Sequence, residues 1–598
     1  MTTVTISRRN FLKMGSAALG VLVVGQMLPP AVAAAAREAG LLDANYTGTI
    51  TTMCEMCVWR CGVRAKVVEG RVVKLEGNPD HPHSRGKLCP RGQSGLMNTY
   101  DPDRVLTPLI RVGKRGEGKF RQASWDEALD LVAGQMLAIK DKYGPEAMVF
   151  SSTHNLSQLQ FENLLNSFGS PNYGTQRSLC FNAMIVGNLM TYGMEEPARD
   201  YSQLKYLILT GRNLAEAIST SETGDFVAAI NRGAKVVYLD PRFTKTAAKA
   251  DLWLPIRPGT DLAFHLALLH VIVKEDLYDH EFVANYTVGF DQLAQTVARY
   301  TPEWAAVITE LPAETITQVA REFAAAGKYA LAHNGWRTSN FENSFQTARA
   351  IASLNALVGN WGTTLLPAAG EESTALGLPP QPPYPRASAT RLDGVPWKYP
   401  LVPFKLGVFQ ELRDAILKGE PYQAHGWFIS RQNPVLSLPD RTRTLQAMEK
   451  MDFIAVVDIF LNDTAWFADV VLPEASYLER YDPLHQIGNR VFIRQPVIEP
   501  QGEAKSALWI YKQLGERLGL GDYFQYTDEE DFIRQQLQPV GFTLEEIREK
   551  GYIDLPTEGD SEDEPHHWNT SSGKVELFSN VLDGAGFAPV ADWQEPPV

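Results

Sequence analysis

Cysteine is the scarcest informative residue, with five in 598 positions. So few thiols argue against a disulfide-stapled scaffold, which a chain this long does not need. Beyond the N-terminal segment no apolar run is long enough to span a bilayer, so membrane attachment would have to come through a partner. Positive charge is also in deficit, with 56 Lys and Arg against 70 Asp and Glu. That argues against a nucleic-acid partner, because nothing builds the positive surface a phosphate backbone needs. The G-x-G-x-x-G fingerprint is missing too, which sets aside a standard NAD or FAD site.

What is present begins at the N-terminus. "SRRNFLKMGSAALGVLVVGQMLPPAVAAAA" pairs Arg8 and Arg9 ahead of a short apolar run that is broken by glycines and ends in small residues. A membrane anchor is the bland alternative. The pattern fits a twin-arginine signal over residues 1–36, an address read by a receptor. It predicts export to the periplasmic or extracytoplasmic face of a membrane.

Four of the five cysteines then fall together. Cys54, Cys57, Cys61 and Cys89 are spaced C-x2-C-x3-C-x27-C. Three bunched thiolates with a distant fourth suit a [4Fe–4S] cluster, since three can cap one face of a cubane and a later loop can supply the last. A structural zinc and a pair of disulfides remain as alternatives. Between them, "GVRAKVVEGRVVKLEG" reads as two strands around a Glu69-Gly70 turn, a hairpin that would return Cys89 to the others. His81 and His83 read as loop residues and not as ligands.

The remainder is an α/β pattern, of a size for roughly two to four domains. Ser124 and Glu127 open a helix over 124–147, and 157–169 and 178–192 are predicted helices. Strand, helix and strand alternate through "LKYLILTG" (204–211), "GDFVAAINRG" and "AKVVYLDPR", and again at 313–335. A second set occupies 424–438 and 451–478. Such alternation predicts parallel sheets covered by helices, with ligands beyond the carboxyl ends of the strands. Asn213, Asp240, Arg242 and Asp261 stand at or just after such ends, where carboxylates can read a base edge and arginine or backbone N–H groups can take a pyrophosphate. Gln432 and Asn433 occupy a place like that of Asn213, hinting at a duplicated nucleotide site; ordinary turn chemistry is the alternative for each of these motifs.

Together these stretches resemble the molybdopterin oxidoreductases of the dimethyl sulfoxide reductase family. The carriers are the twin-arginine signal, the cysteine quartet, "GKLCPRG" (86–92), "VVYLDPRFTKTAAKADLWLPIRPGTDLAFHLA" (236–267) and "TAWFADVVLPEASYLER" (464–480). "CEMCVWRCGVRA" and "LERYDPLHQIGNRVFIRQPVIEPQGEAK" look most like the thiosulfate and polysulfide reductase catalytic subunits.

The resemblance implies a multidomain α/β fold. Residues 47–105 would form a [4Fe–4S] domain, 106–200 and 346–480 one Rossmann-like domain, and 201–345 a second. Residues 481–598 would return to the first domain and lead towards the pterin-capping β-barrel of the relatives, which this sequence is expected to lack. It implies two molybdopterin guanine dinucleotides on one molybdenum. Asn213, Asp240, Arg242 and Asp261 would contact one of them, and Gln432, Asn433 and Asp469 would lie near the other. Arg91 would take the place, between cluster and pterin, where many relatives carry lysine. The fifth cysteine, Cys180 in "QRSLCFNAM", would ligate molybdenum. Sulfoxide reductases use serine there, whereas cysteine keeps polysulfide, thiosulfate, tetrathionate, periplasmic nitrate and formate chemistry open; arsenate is a further rival. Phe181 stands where formate enzymes carry histidine.

The expected reaction reduces a sulfur–sulfur bond of an anionic substrate, with electrons from a ferredoxin-like iron–sulfur subunit and a quinol-oxidising membrane anchor. His154 and Arg337, each after a predicted strand, are the expected proton donor and anion holder, with His333 as second choice. A cluster-bearing scaffold subunit without catalysis is the alternative of a different class.

Overall fold

The computed structural model describes residues 48–596, apart from 154, 217–218, 368–375, 377, 388, 404 and 557–567 and the side chains of residues 337 and 339. Residues 1–36, read above as a signal, and His154 therefore lie outside the described residues.

The cysteine region is built on a three-stranded antiparallel sheet, Gly48–Met53, Gly62–Val68 and Arg71–Gly77. Its second turn uses Glu69 and Gly70, both with positive φ (46° and 75°), the backbone twist that a two-residue hairpin needs. The expected hairpin is there, and it turns the chain back towards the first three cysteines.

Two larger sheets follow. A four-stranded, all-parallel sheet runs in the order Leu252–Leu254, Lys235–Leu239, Tyr206–Thr210, Ala330–Asn334. A seven-stranded sheet runs Phe120–Gln122, Leu109–Arg111, Val470–Pro473, Phe453–Asp458, Gly426–Ser430, Met148–Ser152, Tyr173–Thr175. Five of its strands are parallel; Leu109–Arg111 pairs antiparallel to Val470–Pro473, and the edge strand Phe120–Gln122 pairs antiparallel to Leu109–Arg111. The smaller sheet is thus inserted in the chain between the halves of the larger one. Central strands such as "YLILT" and "GWFIS" are buried along their whole length, which is why they read as unbroken apolar runs. Helices cover both sheets; Phe264, Leu268, Ile316 and Phe323 belong to the core of the smaller one.

Local signals set the helix ends. Ser124 caps the helix Trp125–Tyr143 by accepting from the Glu127 N–H at 3.2 Å, while the Glu127 carboxylate turns to Arg121 instead of closing the box. The helix expected over 178–192 is divided. A single turn, Arg177–Cys180, ends at Phe181, whose φ of −147° is not helical, and a second helix, Asn182–Tyr192, begins there. The break leaves Cys180 at the end of a turn and not inside a helix wall.

After the larger sheet the chain forms a third small sheet from Asp482–Ile487, Arg490–Arg494 and Tyr552–Asp554. Residues 568–596 pack back on the smaller α/β unit. Val575 and Glu576 pair with Thr287 and Val288, and Trp568, Leu577 and Val590 join its core. Among the described residues no helix is long and apolar enough to cross a membrane.

Candidate cofactor cleft and cluster site

The hairpin brings the four cysteines into one neighbourhood: Cys57 and Cys61 both feel the charge of Cys89, and Cys54 feels Cys57 and Cys61. None of the five cysteines of the chain is joined in a disulfide. Among the described residues no three His, Cys, Asp or Glu stand together as a ready-made site for a single metal ion. A cubane asks for something else, one thiolate on each of four separate irons.

The surroundings fit that demand. The Met56 N–H points at Cys54 Sγ (3.4 Å) and the Gly92 N–H at Cys89 Sγ (3.5 Å). A Cβ on Gly92 would press into the Leu88 side chain and lie 3.4 Å from Cys54 Sγ, so a larger residue here would push Leu88 aside. Cys61 Sγ meets the Thr220 hydroxyl at 3.5 Å, at the N-terminus of the helix Thr220–Asn231, where the helix dipole favours negative charge. Arg91, on the turn after Cys89, favours the Cys57 thiolate. Burial pushes Cys54 up to about 12 and raises Cys57 and Cys61, so the protein alone keeps neutral thiols; the positive charge of cluster irons reverses that preference.

A buried ionic set clamps this loop to the larger α/β unit. Glu55, next to Cys54, meets Arg431 (3.1 Å), Arg494 (3.0 Å) and Arg480. Arg494 also donates to the carbonyls of Met53 (3.2 Å) and Cys54 (3.0 Å). Glu474 and Asp482 complete three carboxylates against three guanidiniums.

At the carboxyl ends of the two sheets the same construction appears twice. Gly211 N donates to Leu239 O at 2.9 Å, and Arg431 N to Val457 O at 2.8 Å. Thr246 Oγ1 donates to Asn213 Oδ1 at 2.6 Å, and Thr464 Oγ1 to Asn433 Oδ1 at 2.7 Å. Asp240 accepts from Arg242 N at 2.8 Å, and Asp458 from Phe460 N at 3.0 Å. The partners in residues 236–255 and 454–473 match at one constant offset, and Gly211 and Asn213 match Arg431 and Asn433 at a second, two residues larger. The hydrogen-bond construction at the strand ends is therefore duplicated, and the second copy includes Asp458, which sequence reading passed over. The signal was available: "YLDPRFTKTAAKADLWLP" aligns without a gap on "VVDIFLNDTAWFADVVLP".

The duplication also corrects one assignment. Asp469 matches Asp251, and both serve the opposite, amino ends of the strands. Asp251 accepts from Val236 N at 2.7 Å and Asp469 from Ile454 N at 2.8 Å. Arg111 and Arg115 take up the rest of the Asp469 carboxylate (Arg115 at 2.7 Å), so it clamps the sheet and does not face a nucleotide.

In the first half of the cleft Asp261 opens the helix Asp261–Lys274 beside Asp240. Burial, and then Asp240, push its carboxyl up to about 6. Two neighbouring carboxylates are relieved by a ligand edge with adjacent N–H donors. Arg242 is exposed, 3.8 Å from Glu216. In the second half burial, with Glu474, pushes Asp458 up to about 7. Gln432 is buried, and neither end of its amide has a partner. Arg212 Nε, Ser219 Oγ and Asn334 Nδ2 are also buried without partners. So many orphaned groups at strand ends are costly unless a polar ligand meets them. A pterin cofactor, with its ring of donors and acceptors, fits the set.

His333 lies on the strand Ala330–Asn334, with Nε2 2.8 Å from Glu222 Oε1 and Nδ1 2.9 Å from the Asn334 carbonyl. Burial, and then Arg199, push it down to about 4, while Glu222 pulls the other way; buried between two acceptors, it is a positioning group and not an exposed acid. His83 stacks on Trp59 and faces Ser221 at 3.1 Å; His81 is buried and accepts from Ser84 N at 3.1 Å. The Arg337 side chain lies outside the described residues.

Comparison with known proteins agrees with this construction. The family model "Molybdopterin oxidoreductase" matches residues 104–517, and "Molybdopterin oxidoreductase Fe4S4 domain" matches residues 47–101. The chain is 34% identical to the thiosulfate reductase molybdopterin-containing subunit PhsA of Salmonella typhimurium, an alignment covering 98% of this chain and 83% of that one. It is 32% identical to the acetylene hydratase of Syntrophotalea acetylenica, covering 91% and 79%. The solved structure of acetylene hydratase from Pelobacter acetylenicus superposes with a TM-score of 0.77 at 27% identity, over 91% of this chain and 80% of that one.

Proposed function

The chain belongs to the molybdopterin oxidoreductase family, and on that premise we propose that it is the catalytic subunit of an exported thiosulfate or polysulfide reductase. The observation that carries this reading is the whole-length similarity to a thiosulfate reductase subunit, joined to a cysteine at the end of the broken helix beside the cleft. Cys180 would hold the molybdenum, and a thiolate suits a soft metal and a sulfur substrate. Two guanine dinucleotides would occupy the duplicated halves, with Asp240 and Asp261 reading one and Asp458 the other. When bound, the metal and its pterins supply two-electron chemistry on the substrate, and the cluster supplies electrons one at a time.

The chain's own groups do the remainder. The cluster loop is held by the Glu55 ionic set, so its distance from the cleft is fixed. Arg337 would hold the anionic substrate, and His154 would protonate the leaving sulfur, a task suited to an imidazole. Electrons would reach the cluster from a ferredoxin-like subunit, with a quinol-oxidising membrane subunit behind it.

The test begins with metal content of the exported protein purified anaerobically. About one molybdenum and four irons per chain are expected by the cofactors' own stoichiometry. Oxidation of reduced viologen is then followed with thiosulfate, polysulfide, nitrate and arsenate. Turnover with the sulfur compounds alone supports the reading. Loaded metal with turnover only on nitrate or arsenate overturns the substrate, and irons without molybdenum favour a scaffold subunit.

A further inference from the structure

The helix Thr220–Asn231 belongs to the smaller α/β unit, yet its first turn lies against the cluster loop. Thr220 Oγ1 stands 3.5 Å from the sulfur of Cys61, across 159 positions of sequence. Neighbouring contacts fix that approach. Ser221 Oγ faces His83 Nε2 at 3.1 Å, and Asp225 pairs with Arg85 at 2.6 Å. Gly224 leaves room for Lys87, whose Nζ occupies the space a Cβ there would take. Glu222 is held in turn by Arg212 and, at 2.8 Å, by His333 Nε2. The helix is thereby tied both to the cluster loop and to the strand Ala330–Asn334, and the Thr220 hydroxyl keeps a fixed place beside the sulfur.

The donors around the cysteines differ in origin. The Met56 and Gly92 N–H groups lie within the cysteine segment and come with the fold of its loops. The Thr220 hydroxyl is a side-chain donor brought from another unit, so it can be removed without altering the loop. Once Cys61 binds iron its sulfur carries no proton, and of the two atoms only the hydroxyl can donate. Reduction places an added negative charge on the cluster, shared by its sulfurs. A donor to one of them therefore stabilises the reduced form more than the oxidised form and raises the potential. The positive end of the helix dipole acts in the same direction.

We propose that Thr220 raises the reduction potential of the iron–sulfur cluster by donating a hydroxyl hydrogen bond to the sulfur of Cys61. Thr220 acts through the cysteine, so it is a positioning residue and not a catalytic one. One electron enters the cluster from its donor; no bond forms or breaks, and the hydroxyl keeps its proton. The effect makes the cluster a better acceptor for the electrons that the chain receives. The inference rests on the family's cluster and not on the sulfur substrate.

The test is a redox titration of the fully loaded protein, with dithionite and mediator dyes, read from the EPR signal of the reduced cluster. Thr220→Val keeps the shape and removes the donor. At the parent's midpoint its ratio of reduced to oxidised cluster should fall about threefold, the size of one modest hydrogen bond, which is about 28 mV at 59 mV per tenfold change for one electron. Thr220→Ser, which keeps the hydroxyl, should titrate with the parent. After exchange into heavy water, ENDOR of the reduced cluster should show one exchangeable coupling in the parent and in Thr220→Ser that Thr220→Val lacks. A Val variant with the parent's potential would overturn the proposal. So would a Ser variant shifted as far as Val, because the methyl group would then set the potential through packing. Loss of iron from Thr220→Val would also overturn it, since the hydroxyl would then be a prop for the loop. No sulfur compound enters the experiment, so failure of the substrate assignment leaves the result untouched.

Discussion

Replacing Asp482 by Asn probes the clamp that joins the cluster loop to the larger sheet. Asp482 is wholly buried and accepts from Ser157 Oγ at 2.6 Å, Arg480 Nε at 3.1 Å and Arg494 Nη1 at 2.8 Å. Burial alone would raise its carboxyl, but Arg480, Arg494 and Arg431 overcome this and hold it far below the carboxylate range. The native set of three guanidiniums and three carboxylates is neutral. Asn keeps the shape but leaves one positive charge uncompensated and turns an N–H donor towards arginine. Breaking a buried set in this way costs about 3–5 kcal/mol. Because Arg494 also holds the Met53 and Cys54 carbonyls, the damage should centre on the cluster loop. The depressed pKa fixes the pH dependence. The contribution is present above the ordinary value of 3.8 and lost as pH falls towards the folded value, so parent and variant should converge in strong acid. The assay is iron retention against a chelator, with thermal unfolding measured alongside at pH 7. A variant that keeps all its iron and melts with the parent would refute the reasoning.

Cys180→Ala should abolish turnover while leaving four irons and the cluster EPR signal in place, because the quartet does not depend on it. Gln432→Leu should leave the cofactor-free protein as stable as the parent or more so, since it removes an unpartnered buried amide, yet lower pterin and molybdenum content after expression. Asp458→Asn should stabilise the cofactor-free protein at pH 8. The buried carboxyl, raised to about 7 from 3.8, is a cost once ionised, worth about 1.4 kcal/mol per pH unit across that interval, and the gain should vanish near pH 4. Unfolding by urea at both pH values checks the sign.

The spacing of Cys54, Cys57, Cys61 and Cys89 was enough to locate the cluster site, because a cubane's ligands are set by loop lengths along the chain. The two parallel sheets were equally legible, since strands covered on both faces must be apolar throughout. The strand-end positions of Asn213, Asp240 and Gln432 were legible for a related reason: a residue just past a strand's carboxyl end stays at that end wherever the strand is placed.

Other features needed the folded chain. Asp458 and Asp469 sit in the same segment, eleven positions apart. Which of them faces a ligand depends on which end of the strands each reaches, and pairing with Phe453–Asp458 and Val470–Pro473 decides that. The burial of His333 against Glu222 and the stack of Trp59 on His83 likewise involve partners far away in sequence. Sequence by itself determined what depends on local spacing and on the apolar period of single strands. Tertiary structure alone decided which charges meet and which rings stack, because those contacts join segments whose separation along the chain holds no record of their distance in space.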